Sequence, residues 1–176
     1  MQTIGQISHY LNIICGIFAN STLASCAANL YMNEKLTIFY TDDDIDDLEF
    51  FKTIVNMITE DYAVVTHMDG HQLLQALDNP PPNPYLLFLD INMPGMNGLE
   101  ILQTVRKSEK HSGLPIIMFS TTRDEFIIRK TRELGANFYI PKASSFKDLR
   151  KSIEHSLQIN WSSFIADQSN YLYNFN

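Results

Sequence analysis

Four apolar residues, Leu86-Leu87-Phe88-Leu89, run without alternation into an acid, Asp90, and Asn92-Met93-Pro94-Gly95 follows almost at once. A run that is apolar at every position suits a strand buried on both faces, in the middle of a parallel sheet with helices on either side. It also puts Asp90 at the carboxyl end of a central strand, where open α/β sheets gather their chemistry. Asp90 is therefore the candidate reactive group, and the other segments are read for what they bring to it.

From Glu34 onward, short apolar runs alternate with helical patterns. Leu36–Tyr40 reads as a first strand and ends in Thr41-Asp42-Asp43-Asp44. Ile45, Leu48, Phe51, Ile54, Val55 and Ile58 then recur at helical spacing, with Asp44 as N-cap and Asp46, Asp47 and Glu49 favoured near the positive end of the helix. Ala63–Met68 is a second strand and Gly70–Leu77 a short helix. Asn79-Pro80-Pro81-Pro82-Asn83-Pro84 reads as a surface loop, because proline has no amide to donate to a helix or a central ladder. The opening strand, Tyr85–Leu89, is third, and Gly98–Lys107 is its helix, with Leu99, Leu102 and Val105 inward. Ile116–Phe119 is a fourth strand ending in Ser120-Thr121-Thr122. Arg123–Leu134 is helical, with Gly135 as its stop. Asn137–Ile140 is a fifth strand ending in Pro141-Lys142, and Ser145–Asn160 is a last helix presenting Phe146, Leu149, Ile153 and Leu157. Five strand–helix repeats imply a doubly wound parallel α/β sheet with right-handed crossovers.

The two ends differ from this middle. Residues 1–33 contain no Asp, Glu, Lys or Arg. Their apolar run Leu11–Ala19, broken by Asn12 and Gly16, is too short to span a bilayer. Leu23-Ala24-Ser25-Cys26 resembles a lipoprotein-type signal box, but no basic stretch precedes it. The segment is read as a packing helix or as an extension outside the working protein, with Met32 a natural start. Residues 161–176 form a short polar-aromatic tail, too small for a DNA-binding or catalytic domain. Both cysteines, Cys15 and Cys26, lie in the first segment, so the remainder has neither a disulfide nor a cysteine metal site, which fits a cytoplasmic setting. The formal net charge of -7 argues against a general nucleic-acid binder, which carries a basic face.

In the inferred fold all strands end on one edge, which gathers Asp42 and Asp43, Asp90, Ser120 and Thr121, and Lys142. Carboxylates brought together repel unless a cation intervenes. Oxygen-only ligands suit a hard ion, and Mg²⁺ takes one or two carboxylates plus waters and phosphate oxygens. Lys142 adds a point charge for a phosphate oxygen, and the Ser120 hydroxyl a hydrogen bond to another. This set suits a carboxylate that attacks phosphorus and becomes an aspartyl phosphate. Each piece alone has a plainer reading. Acids after a strand are commonly a solvated cap, which is the reading for Asp44, Asp46 and Asp47. Ser-Thr-Thr is commonly an N-cap run, a lysine at a strand end a surface charge, and Met-Pro-Gly a turn. Their joint placement at successive strand ends favours the functional reading.

On Phe39-Tyr40-Thr41-Asp42-Asp43-Asp44, Leu89-Asp90-Ile91-Asn92-Met93-Pro94-Gly95-Met96-Asn97-Gly98, Phe119-Ser120-Thr121-Thr122 and Tyr139-Ile140-Pro141-Lys142, the chain resembles the receiver domain of two-component response regulators. The resemblance assigns residues 34–160 to that domain and implies a flavodoxin-like (βα)5 fold with strand order 2-1-3-4-5. It implies that Asp90 is the phosphoacceptor, charged from the phosphohistidine of a sensor histidine kinase or phosphotransfer protein. It makes Asp42 and Asp43, with Asp90 and the Asn92 backbone carbonyl, the Mg²⁺ ligands. Ser120 matches the switch hydroxyl, Lys142 the phosphate-binding lysine, and Tyr139 the aromatic that turns inward on activation. The implied product is a cytoplasmic signalling switch, an enzyme only toward its own phosphotransfer and dephosphorylation. Its fourth helix, fifth strand and fifth helix would present a face to a downstream protein or to a second copy, with no direct contact to nucleic acid or membrane. The chain resembles stand-alone receivers, of the shuttle and chemotaxis type; Trp161 and the Thr-Thr run point towards the subgroup that partners with phytochrome-like and other hybrid kinases.

One departure is local. Receivers usually follow the lysine with a proline in a cis bond, whereas here Ala143 follows and Pro141 precedes. A cis bond before alanine costs about 2.5–4 kcal/mol, so Lys142–Ala143 is expected to be trans. The competing reading is a receiver-fold interaction module that is not phosphorylated. An aspartate-nucleophile phosphatase is disfavoured, because Asn92 stands where such enzymes need a second acid. A flavin-binding domain is disfavoured because Thr41-Asp42-Asp43-Asp44 would repel a phosphate.

Overall fold

The computed structural model describes residues 35–81 and 83–175; the expectations made for residues 1–33 lie outside the described residues. Five strands, β1 (Leu36–Thr41), β2 (Tyr62–His67), β3 (Pro84–Leu89), β4 (Ile116–Ser120) and β5 (Phe138–Pro141), pair in parallel in the order β2-β1-β3-β4-β5. Each is followed by a helix: α1 (Ile45–Ile58), α2 (Gly70–Asp78), α3 (Gly98–Lys107), α4 (Glu125–Glu133) and α5 (Phe146–Gln158). The doubly wound sheet expected from the sequence is the sheet observed.

The central strand shows why alternation was missing. Leu87 and Leu89 join Phe39, Leu73, Ile101, Leu102 and Met118 on one face of the sheet, where Ile127 and Ile128 of α4 also pack. Leu86 and Phe88 join Tyr40, Leu48, Phe51, Phe119 and Ile153 on the other face. Helices α2, α3 and α4 thus cover one side and α1 and α5 the other, so Leu86–Leu89 of β3 meets no water on either. Side-chain caps fix where the helices start: Asp44 accepts from the Asp46 amide, and Asn97 and Glu100 form a reciprocal capping box on α3.

Several boundaries and faces differ from those expected. Pro84 opens β3 rather than ending the loop, which a first strand residue tolerates because it need not donate. Helix α4 starts at Glu125 with Asp124 as its cap, so neither Thr121 nor Thr122 caps it. Ile45 is 58% exposed and Phe146 43%, although both were expected to face inward. Each is the first residue of its helix, where the apolar stripe runs off the sheet edge. On α3 the fully buried partner of Leu102 and Val105 is Ile101, while Leu99 is only half-buried.

The largest difference is at the carboxyl end. The tail folds back and pairs with the outer strand: the Tyr139 amide donates to the Tyr171 carbonyl at 2.8 Å, and the Tyr173 amide to the Tyr139 carbonyl at 2.8 Å. Leu172 forms a parallel bridge with Tyr139. Trp161 and Tyr171 are buried, with Trp161 Nε1 donating to the Ser156 carbonyl at 3.1 Å. The tail occupies what would otherwise be an unpaired sheet edge.

Candidate functional site

The site is assembled from four strand ends, those of β1, β3, β4 and β5. The Asp90 amide donates to the Thr41 carbonyl at 2.9 Å, which aligns the end of β3 with the end of β1. The Lys142 amide donates to the Ser120 carbonyl at 2.9 Å, which aligns β5 with β4. After Asp90 the chain must turn at once into α3, and Gly98 allows it. A Cβ there would stand 2.1 Å from the Asp90 carbonyl oxygen, so only glycine lets the helix start this close to the strand end.

The two buried acids are held differently. Asp42, 1% exposed, accepts the Asp44 amide on Oδ1 at 3.0 Å, and on Oδ2 it accepts both the Tyr40 hydroxyl and Lys142 Nζ. Asp90, 4% exposed, accepts the Asn92 amide on Oδ2 at 2.7 Å, while its Oδ1 lies 3.7 Å from Lys142 Nζ. Asp43 is exposed at the mouth. Oxygens of Asp42, Asp43 and Asp90 all lie within 4.8 Å of one another.

Lys142 is the cation at the site, but Asp90 is not its main partner. Its Nζ donates to Asp42 at 2.5 Å and to Asp47 at 2.6 Å. Burial disfavours its charge, and the two carboxylates more than offset this, holding its pKa above the usual lysine value. Burial and then the Asp42 charge push the Tyr40 hydroxyl far up, so it stays a donor. Formally, four carboxylates face one ammonium. The remaining negative charge, with hard oxygen donors converging from two strands, fits a divalent cation of the Mg²⁺ kind. Among the described residues no peptide bond is cis, so Lys142–Ala143 is trans as the sequence led one to expect.

The other candidates surround this pocket. Ser120 is fully buried, and its hydroxyl accepts from Asn92 Nδ2 at 3.4 Å and from the Thr122 amide at 3.5 Å. Asn92 Nδ2 also donates to Thr122 Oγ1 at 3.0 Å. Tyr139 already lies inward, fully buried, and its hydroxyl donates to the Thr122 carbonyl at 2.8 Å. Burial, and next the Asp90 charge, keep that hydroxyl protonated by raising its pKa.

Sequence reasoning missed two members. Tyr40 was read only as a strand residue, though two positions before Asp42 it must share that residue's face. Asp47 was read as a solvated acid favouring the helix end, like Asp46. Its place beside Leu48 and one turn before Phe51 borders the buried stripe of α1, and that phase was the available signal.

The family model described as "Response regulator receiver domain" matches residues 38–154. Response regulator Rcp1 of Synechocystis sp. (strain ATCC 27184 / PCC 6803 / Kazusa) is 24% identical over 127 residues, covering 69% of this chain and 86% of Rcp1. The crystal structure of its Mn(2+)-bound form superposes with a TM-score of 0.63 at 23% identity, over 74% of this chain and 97% of that one. The phosphorylated cyanobacterial phytochrome response regulator RcpA superposes with a TM-score of 0.66 at 25% identity, over 76% of this chain and 98% of RcpA. Against a longer relative, the probable transcriptional regulator ycf27 of Cyanophora paradoxa, identity is 35% over 124 residues, and the match spans 49% of that protein.

Proposed function

The chain belongs to the response regulator receiver domain family, and from that membership we propose that it is a phosphoacceptor switch with Asp90 as the residue modified. The observation that carries this is the buried Asp90 at the end of β3, with oxygens of Asp42 and Asp43 within 4.8 Å and Lys142 Nζ at 3.7 Å. In the reaction an Asp90 carboxylate oxygen forms a bond to phosphorus as the bond from phosphorus to the donor's histidine nitrogen breaks, and the imidazole leaves. Asp42, Asp43, Asp90 and the Asn92 carbonyl would hold Mg²⁺, which when bound neutralises charge on the transferring phosphoryl group. Lys142 leaves Asp42 for a phosphoryl oxygen, and the Ser120 hydroxyl donates to another.

Readout follows from what Ser120 releases. Turning its hydroxyl towards Asp90 gives up the contacts to Asn92 and the Thr122 amide, and Thr122 is also the residue whose carbonyl holds the Tyr139 hydroxyl. Tyr139 is already buried, so the change it transmits is in the loop after β4 and the face of α4, β5 and α5 rather than an inward swing. A downstream protein or a second copy that prefers the altered face shifts the population. The phosphoryl source is a sensor histidine kinase or phosphotransfer protein, in the cytoplasm; no helix among the described residues is long and apolar enough to cross a membrane.

The test is intact mass after incubation with acetyl phosphate and Mg²⁺. A gain of one phosphoryl group is expected, prevented when excess chelator is present from the start and absent in Asp90→Ala; no gain with any donor would contradict the proposal. The second reading, a receiver-fold interaction module without phosphorylation, is favoured by one observation. Lys142 sits closer to Asp42 and Asp47 than to Asp90.

A further inference from the structure

The pairing of Lys142 with Asp47 has no part in the reaction as described above. The carboxylate of Asp47 comes from the first turn of α1, lies outside the group formed by Asp42, Asp43 and Asp90, and is 42% exposed on its side chain. It accepts from Lys142 Nζ at 2.6 Å, against 3.7 Å from that nitrogen to Asp90. The neighbouring Asp46 is exposed in the same turn, and none of the ion pairs of Lys142 involves it. One acid of two adjacent ones is therefore aimed at the lysine.

A lysine that serves a phosphoryl group must have a donor free to reach it. Here two carboxylates hold it, and only Asp42 belongs to the acid cluster around Asp90. We propose that Asp47 is a positioning residue that restrains Lys142 on the α1 side and thereby slows phosphoryl transfer to Asp90. This rests on the reading of Asp90 as phosphoacceptor. A charged partner at hydrogen-bond distance competes directly with the phosphoryl oxygens for the same ammonium, so neutralising it frees the lysine. Because Asp47 is partly solvated, the restraint is modest, of the size of exposed ion pairs, and its removal speeds transfer by roughly two- to fivefold.

The experiment measures the rate of acetyl phosphate labelling at saturating Mg²⁺, so that cation affinity does not enter. In that reaction an Asp90 oxygen bonds to phosphorus while the bond from phosphorus to acetate breaks, and acetate leaves with the electron pair. Asp47→Asn and Asp47→Ser are expected to be about two- to fivefold faster than the unmodified chain, and Asp47→Glu near it. Asp46→Asn, with the same change of net charge in the same turn, is expected to leave the rate unchanged. In a Lys142→Met background, adding Asp47→Asn is expected to change nothing, since the residue acts only through that ammonium. The inference is overturned if Asp47→Asn and Asp46→Asn behave alike, if Asp47→Asn and Asp47→Ser are both slower than the unmodified chain, or if the effect persists without Lys142. An unmodified chain that takes up no phosphoryl group overturns the reading of Asp90 as well. A labelled chain with unresponsive Asp47 variants overturns this inference alone.

Discussion

The amide of Tyr139 donates to the carbonyl of Tyr171 at 2.8 Å, so a strand residue next to the acidic pocket of Asp42 and Asp90 is tied to the tail of the chain. Tyr171 in turn shares a hydrogen bond with Thr131 of α4 at 2.6 Å between hydroxyl oxygens, both side chains being buried. The tail thus bridges α4 and β5, the elements through which the switch would be read.

Tyr171→Ala removes a buried ring and leaves the Thr131 hydroxyl without this partner. The expected loss is about 3 kcal/mol, the range for truncating a buried aromatic. Urea unfolding checks it: the midpoint should fall with little change in slope. A variant that unfolds like the unmodified chain would show that the tail does not contribute to the fold.

Gly98→Ala is expected to be more damaging than its size suggests. The added carbon meets the Asp90 carbonyl at 2.1 Å, and both are backbone-fixed, so the start of α3 or the end of β3 must shift. Overpacking of this kind costs about 1–3 kcal/mol. Acetyl phosphate labelling should slow in the same variant, because the Asp90 carboxylate moves with its backbone. Normal stability and normal labelling together would contradict the close approach.

The β2 residue His67 gives a pH dependence of stability. It is buried, stacks on Phe39 with ring centroids 5.9 Å apart, and its Nδ1 has no hydrogen-bond partner among the described residues. Burial lowers its pKa below the ordinary 6.5, against a smaller opposing pull from Asp69. As pH falls through 6.5 the unfolded chain takes up a proton that the folded chain does not, so stability declines towards the lower folded pKa. His67→Gln should flatten that part of the curve, measured as the difference in urea midpoint between pH 7.5 and 5.5. Parallel curves for the two proteins would contradict a neutral buried imidazole.

How far these features were legible depends on where the information lies. The unbroken run Leu86–Leu89 and the acids at the strand ends specified the sheet and brought Asp42, Asp43, Asp90, Ser120 and Lys142 to one edge, because strand direction alone decides that. Which carboxylate Lys142 would choose was not legible. Asp42, Asp47 and Asp90 lie far from it in sequence, and the choice is made by the packing of α1 against α5 and the sheet. The tail was equally opaque: Tyr171 and Leu172 carry no strand periodicity, and their place is set by the open edge of β5. Phe146 and Ile45 misled because helical spacing fixes a face but not where the covering layer stops.

The central claim is that Asp90 itself takes the phosphoryl group, and chemical mapping tests it most directly. Borohydride reduces an acyl phosphate to the alcohol, so an aspartyl phosphate becomes homoserine. After treatment with acetyl phosphate and Mg²⁺ followed by borohydride, peptide mass analysis should find homoserine at position 90 and at no other aspartate. Homoserine at Asp42, Asp43 or Asp47, or none at all in a folded protein, would contradict the account.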